Sequence, residues 1–284
     1  MSKEEIIDIK NRLKFNNNSF DVMKDSLKNR TAIVISAGPS AKRWKEIYGA
    51  EVANDPIIVC VKQSIDLVGD FCDLHFVNSA NLKKHKLPDH CLSIMTRDPR
   101  IPYFGKYDIV YDLDYKNTLF QQDGFLAKNP ENFEQFTLKN YGIKRAIGFG
   151  IMHESVLYTL VHCGISRIVT IGWDIADEKG TNKHFNDQED IKIDLSVIER
   201  KSRIKSLLKK VRILNSLKNI KKLFVYPINY IKFYFGKKVY LTNMLPGEAV
   251  ETSKTIPSLI SWLNSKNIEI VIHTNSKWMT KNEN

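Results

Sequence analysis

Two glycine-bearing turns put backbone donors where a phosphate can be held. In TAIVISAGPSAKRW an apolar run over 32–35 ends in a tight turn at Gly38 and Pro39, with Ser40 placed to cap a following helix. A helix start exposes unpaired N–H groups and the positive end of the helix dipole, so this turn suits an anion. An ordinary strand-to-helix turn has the same spelling. No GxxxxGK followed by Ser or Thr occurs, and the segment is not the GxGxxG fingerprint of dinucleotide sites. Gly148 and Gly150 in RAIGFGIMHES open a second helix, so two close backbone approaches can converge on one ligand. Metal chemistry has less support. No histidine and carboxylate cluster has zinc spacing, and Asp112 and Asp114 form a DxD by letter only, so no obligatory metal is expected. His153 and His162 read as packing residues, and Arg145 reads equally well as a surface cation.

The elements that must position these turns follow from apolar runs. Strands are predicted over 32–35, 57–61, 74–77, 92–96, 107–111, 167–171 and 268–272, and helices over 148–163 and 248–265. Continuous apolar runs are typical of parallel strands covered on both faces. Their alternation with helical segments predicts an α/β fold, a Rossmann-like doubly wound parallel sheet with ligands beyond the carboxyl ends of its strands. SAGPS and IGWDIAD each follow a central strand and are the loops to watch. The rhythm stops between Asp177 and about Pro246. Residues 1–176 and 247–284 therefore read as the nucleotide-binding sheet domain, and 177–246 as an inserted basic helical lid.

The order SAGPS, VCVKQS, FVNS, then RAIGFGIMHESVLYTLVHCGISRIVTIGWDIAD resembles the bacterial sialyltransferases of glycosyltransferase family 42, a GT-A variant, and more loosely bacterial Kdo transferases of capsule synthesis. The likeness covers most of 30–186. It implies a pocket for CMP in which Gly38, Pro39 and Ser40 approach phosphate and ribose. Lys62 belongs to the same nucleotide-contacting set, and Asn78 and Ser79 contact the sugar or cytidine side. Gly148, Phe149 and Gly150 occupy a turn that meets phosphate or carboxylate, and Gly172, Trp173 and Asp174 hold cytosine and ribose. Plainer roles compete: Asn78 as a turn cap, Trp173 as a core anchor, Asp174 as an N-cap. The chain departs from the family at Ala37, where an asparagine is usual, and at Gly148 and Phe149, where a Thr-Ser pair is usual.

Transfer from a CMP sugar needs a general base for the acceptor hydroxyl. The family's histidine before the last long helix has no counterpart in LPGEAVETSKTI, where Glu248 and Glu251 are the available carboxylates, with His184 in NKHFND as runner-up. Both glutamates equally suit the first turns of a helix, where acidic residues favour its dipole.

Composition sets the outer limits. With 284 residues, 43% apolar and 26% charged, the chain is one large domain or a domain with an insertion, and a disordered or fibrous protein is excluded. The net charge of +11 is concentrated in one place: residues 196–240 hold 13 basic residues against Glu199 alone, and the rest is nearly balanced. Within it Ile204, Leu207, Leu208, Val211, Leu214, Leu217 and Ile220 form one helical stripe, followed by Phe224, Tyr226, Tyr230, Phe233, Tyr234 and Phe235. A basic amphipathic helix followed by aromatics suits an anionic membrane surface. A lid packed on the core is the alternative, and nucleic acid ranks below both because the charge is confined to an insertion.

Cys60, Cys72, Cys91 and Cys163 have no CxxC spacing and read as buried free thiols, and no stretch has the length of a membrane span or signal core. The expected protein is therefore an inverting CMP-sugar glycosyltransferase, cytoplasmic and peripheral on the inner face of the inner membrane. It would transfer sialic acid or Kdo to a surface glycan or glycolipid without a cofactor. An ATP-dependent enzyme like hydroxymethylpterin diphosphokinase, using Asp174 and Asp177 for magnesium, and a non-catalytic nucleotide-binding or membrane-scaffold protein are the alternatives.

Overall fold

The structure is a computed structural model and describes residues 2–15, 20–79, 81–82, 84–99, 104–118, 125–138, 143–174, 239–240, 246–274 and 276. Its strands are β1 (Thr31–Ile35), β2 (Ile57–Val61), β3 (Leu74–Asn78), β4 (Asn81–Leu82), β5 (Leu92–Arg97), β6 (Ile109–Thr118), β7 (Lys144–Ile147), β8 (Arg167–Ile171), β9 (Val239–Tyr240) and β10 (Glu269–His273). Eight of them form one parallel sheet in the order β10-β8-β1-β2-β3-β5-β6-β7. This is the doubly wound α/β fold expected from the apolar runs.

Alternate residues of β1 and β2 serve two different cores, which is why the runs 32–35 and 57–61 are apolar throughout. Ala32, Val34, Ile57, Val59 and Val61 face the larger core. There they meet α1 (Ser2–Phe15), α6 (Leu157–His162) and α7 (Pro246–Ser265) through Ile6, Ile9, Leu13, Leu160, Ile256, Leu259 and Trp262. Ile33, Ile35, Ile58 and Cys60 face the other core with Trp44 and Ile47 of α2 (Trp44–Glu51). On α1 the buried positions recur at steps of three and four, and each is worth about 2 kcal/mol relative to exposure.

Short helices α3 (Ile65–Val68), α4 (Phe125–Lys128) and α5 (Glu131–Thr137) fill connections. All four cysteines are buried and free. No helix among the described residues is long and apolar enough to cross a membrane.

Several features differ from the sequence reading. β7 was not expected as a strand, because its four residues include Lys144 and Arg145, and β6 runs on to Thr118 where the apolar run ends at 111. The helix expected over 148–163 opens as a π-helical turn, Met152–Val156, and becomes α-helical only in α6. All five residues of that turn are buried, so it has no solvent face to show the usual amphipathic period. Arg145, read as a possible surface cation, is fully buried in β7.

The basic helix read over 204–220 lies outside the described residues, as does most of the segment 177–246. Its described pair, β9, runs antiparallel to β4, with Tyr240 opposite Asn81. That brings residues 239–240 beside β4, just beyond the carboxyl end of β3.

Candidate functional site

From β1 the chain steps outward through β2, β3, β5, β6 and β7, then returns to β8 on the other side of β1. After β1 it enters α2 on one face; the next described helix after β8, α7, packs on the opposite face. The chain thus leaves β1 and β8 toward opposite faces, and the carboxyl ends of these two strands form the switch point, the usual ligand position in such sheets.

Those two loops are tied together. Gly38 N–H donates to the Gly172 carbonyl at 2.8 Å, and Ser36 N–H to the Ile171 carbonyl at 2.8 Å. Ser40 Oγ accepts from Gly172 N–H at 2.9 Å and donates to Asp174 Oδ1 at 2.9 Å, while Ser40 N–H donates to Asp174 Oδ2 at 2.7 Å. Thr274, just beyond β10, adds a hydroxyl donor to Asp174 Oδ1 at 2.9 Å. A Cβ placed on Gly38 would stand 2.5 Å from Asp174 Oδ2 and 2.6 Å from the Gly172 carbonyl, so glycine is required by the close approach of the two loops. Gly172 adopts a φ of +74° and has the Ser36 carbonyl 2.5 Å from where its Cβ would lie.

Ser40 does not cap its own helix as its position in sequence suggested. The helical turn runs over Pro39–Arg43 with Gly38 in the cap position, and no side chain of its own caps it. Asp174 supplies the cap across space, its carboxylate meeting the positive helix start. The donors read as open to a phosphate are therefore already paired. A phosphate arriving here has to displace the Asp174 carboxylate or bind on donors beside it.

Along the same edge, Lys62 follows β2 in a left-handed conformation at φ +56°, and its carbonyl accepts from His75 Nε2 at 2.8 Å. Asn78 closes β3 and is half-buried. Ser79 is buried: its N–H donates to the Thr96 carbonyl at 2.9 Å, and its Oγ accepts from Asp98 N–H at 2.8 Å. It ties β3 to β5.

The segment after β7 reaches the switch point through its π turn. Ser36 Oγ lies 3.6 Å from Met152 Sδ, and Thr96 Oγ1 donates to Ser155 Oγ at 2.8 Å. Gly148 N–H is taken by Glu154 Oε1 at 3.2 Å, and the ring of Phe136 would stand 2.6 Å from a Cβ at Gly148. Gly150 turns the chain at φ +87°. Phe149 and Trp173 both pack edge-on against the buried ring of His153, at 6.0 and 5.7 Å. Burial alone lowers the His153 pKa to about 4, so the ring is neutral at neutral pH. Arg145 lies beneath, donating to the carbonyls of Glu154, Thr137 and Phe136 at 2.8, 2.8 and 3.3 Å, with its guanidinium 3.5 Å over the Tyr158 ring.

Gly38, Pro39, Ser40, Gly172, Trp173 and Asp174 thus meet at the switch point, Phe149 joins them through His153, and Lys62, Asn78 and Ser79 extend along the edge. Glu248 and Glu251 sit in the first two turns of α7. His184 lies outside the described residues. Sequence reading missed Thr274 and Thr255, and gave His153 no part in the site. The signal for Thr274 was available: like Ser36, it is a small polar residue just beyond an apolar strand. Comparison with known protein families finds no match, and neither does comparison with curated proteins.

Proposed function

We propose that this chain is an inverting glycosyltransferase that moves an acidic sugar of sialic acid or Kdo type from its CMP-activated form to a glycan or glycolipid acceptor of a bacterial surface. One observation supports the reading above others: residues 36–40, 62–64, 78–79, 148–150 and 172–174 each lie at or just beyond the carboxyl end of a strand of one parallel sheet, and 36–40 and 172–174 adjoin across its switch point.

In this reading the nucleotide lies along that edge. A base removes the proton of the acceptor hydroxyl, its oxygen attacks the anomeric carbon, and the bond to the phosphate oxygen breaks with CMP leaving through its own phosphate. Glu248 and Glu251 are the base candidates, with His184 behind them. The helix that carries the two glutamates is fixed to the switch point one turn beyond Glu251, where Thr255 bonds His153 at 3.1 Å. The basic segment 196–240 would hold the enzyme at an anionic membrane surface, where a lipid-linked acceptor is presented.

Thermal-shift measurements with CMP, UMP, GDP and ATP, each with and without magnesium, test the reading. Stabilisation by CMP without metal is the expected result. Stabilisation by ATP with magnesium alone would transfer the chain to the diphosphokinase class.

A further inference from the structure

Lys62 holds a backbone conformation that its residue type does not favour. Among the described residues, five other than glycine have a positive φ: Asp25, Asn29, Asp55, Lys62 and Asn267. Four of them are aspartate or asparagine, whose short polar side chains make the left-handed region tolerable. Lys62, at φ +56°, has no such help, and glycine would take the same turn without cost. A strained residue persists only where its surroundings fix it, and such residues gather at functional sites. Lys62 is the first residue beyond β2, on the edge that carries the other site segments.

The surroundings fix this turn from two sides. Val61 N–H donates to Ser64 Oγ at 2.8 Å, which holds the entry to the turn. The Lys62 carbonyl accepts from His75 Nε2 at 2.8 Å. His75 is buried on β3, directly across from Cys60 of β2. A carbonyl has no proton to give, so Nε2 carries the imidazole proton. Burial lowers the His75 pKa to about 4 and keeps the ring neutral. His85 backs that ring edge-on at 5.3 Å, and its own Nδ1 lies 2.9 Å from Asp66 Oδ1. Asp66 belongs to α3, the helix into which the Lys62 turn leads. The contacts thus run from Lys62 through α3, His85 and His75 back to the Lys62 carbonyl. A turn that only had to redirect the chain could use glycine or asparagine here.

We propose that His75 is a positioning residue: it locks Lys62 in the left-handed turn and so sets the direction in which the lysine leaves the edge, for an ammonium that binds the phosphate of the nucleotide. The inference rests on the nucleotide reading given above and adds to it the residue that aims the cation. The Ser40 donors at the switch point are already taken by Asp174, so a phosphate there needs positive charge from beside it. β2 is the neighbour of β1 in the sheet, which puts Lys62 at the adjoining strand end. A compact ammonium with three donors suits the oxygens of a phosphate. The imidazole itself touches no ligand and acts through the Lys62 backbone.

The test is calorimetric titration of the full chain with CMP and with cytidine, which lacks the phosphate. The wild type is compared with Lys62→Gly, His75→Phe, His75→Gln and the double variant Lys62→Gly with His75→Phe. Lys62→Gly keeps the turn and removes the ammonium; His75→Phe keeps a buried ring and removes the donor; His75→Gln restores a donor of similar reach. Lys62→Gly and His75→Phe are each expected to weaken CMP binding roughly ten-fold and to leave cytidine binding unchanged. His75→Gln should recover most of the affinity, and the double variant should bind CMP no more weakly than Lys62→Gly, because both changes remove one contact. Wild-type CMP affinity in His75→Phe overturns the positioning role, and so does an equal loss for CMP and cytidine, the mark of a merely structural histidine. Should His75→Phe not fold, His75→Asn, whose amide falls short of the carbonyl, takes its place with the same outcomes. Wild-type CMP affinity in Lys62→Gly overturns the inference and leaves the nucleotide reading in place; failure of the wild type to bind either ligand removes both.

Discussion

The carboxylate of Asp174, just beyond β8, accepts both the backbone N–H and the hydroxyl of Ser40, just beyond β1. Removing it takes the acceptor from both of these Ser40 donors. Asp174→Ala is expected to destabilise the fold by about 2–3 kcal/mol, and Asp174→Asn by less because one oxygen remains. Gly38→Ala should be at least as damaging as Asp174→Ala, because its Cβ falls 2.5 Å from that carboxylate. Urea unfolding measures all three; an Asp174→Ala midpoint equal to wild type would show that the bridge carries no net stability.

Arg145 is a charge sealed beneath the π turn and satisfied by three backbone carbonyls. Truncation to alanine removes three buried hydrogen bonds and opens a cavity, at about 3–5 kcal/mol. Arg145→Lys should recover little, because a single ammonium cannot reproduce the guanidinium fork or its stacking on Tyr158. Circular dichroism melts would show both variants well below wild type.

Acid should weaken the protein through its buried histidines. Burial lowers His75 and His153 to about 4 from the ordinary 6.5. Between those values the unfolded chain takes up protons that the folded one refuses, so stability falls as pH drops from 6.5 toward 4. Asp73 works the other way: burial raises it to about 6, so the folded state binds its proton first and gains stability as pH falls below 6. Two histidines against one carboxylate leave a net loss. His153→Phe should remove about 3 kcal/mol of that loss by pH 4. An acid limb of the same steepness in the variant would disprove the assignment.

Under the proposed reaction, Glu248→Gln or Glu251→Gln should cut kcat by roughly a hundred-fold or more while leaving CMP affinity in place, as loss of a general base does. Activity assays with CMP-activated sialic acid and Kdo, beside binding titrations, separate the two effects. Full activity in both variants would move the role to His184.

The basic segment gives a separable prediction. The full chain should sediment with vesicles rich in anionic lipid and come off as salt is raised, and a chain lacking 204–235 should remain in solution. Equal sedimentation of the two chains would leave the segment as a lid only.

The strands were legible because parallel strands covered on both faces need unbroken apolar runs, and β2 lies over the residues expected for it. The switch point was legible for a related reason: in a doubly wound sheet the loops beyond the carboxyl ends must hold glycine and small polar residues where the chain changes face. What those residues touch was not written locally. Ser40 and Asp174 are separated by 134 positions, and only the parallel pairing of β1 with β8 makes one the cap of the other. Arg145 follows an exposed lysine at the start of a strand, and its burial depends on carbonyls that α5 and the π turn bring over it. The place of His153 is of the same kind. Composition and spacing made it a packing residue, and the Thr255 hydroxyl on α7 that its ring bonds lies 102 positions away. Sequence by itself determined which segments lie on the sheet, because burial acts on each run separately. Tertiary structure decided which donors remain free, because every hydrogen bond depends on a partner that only folding brings near.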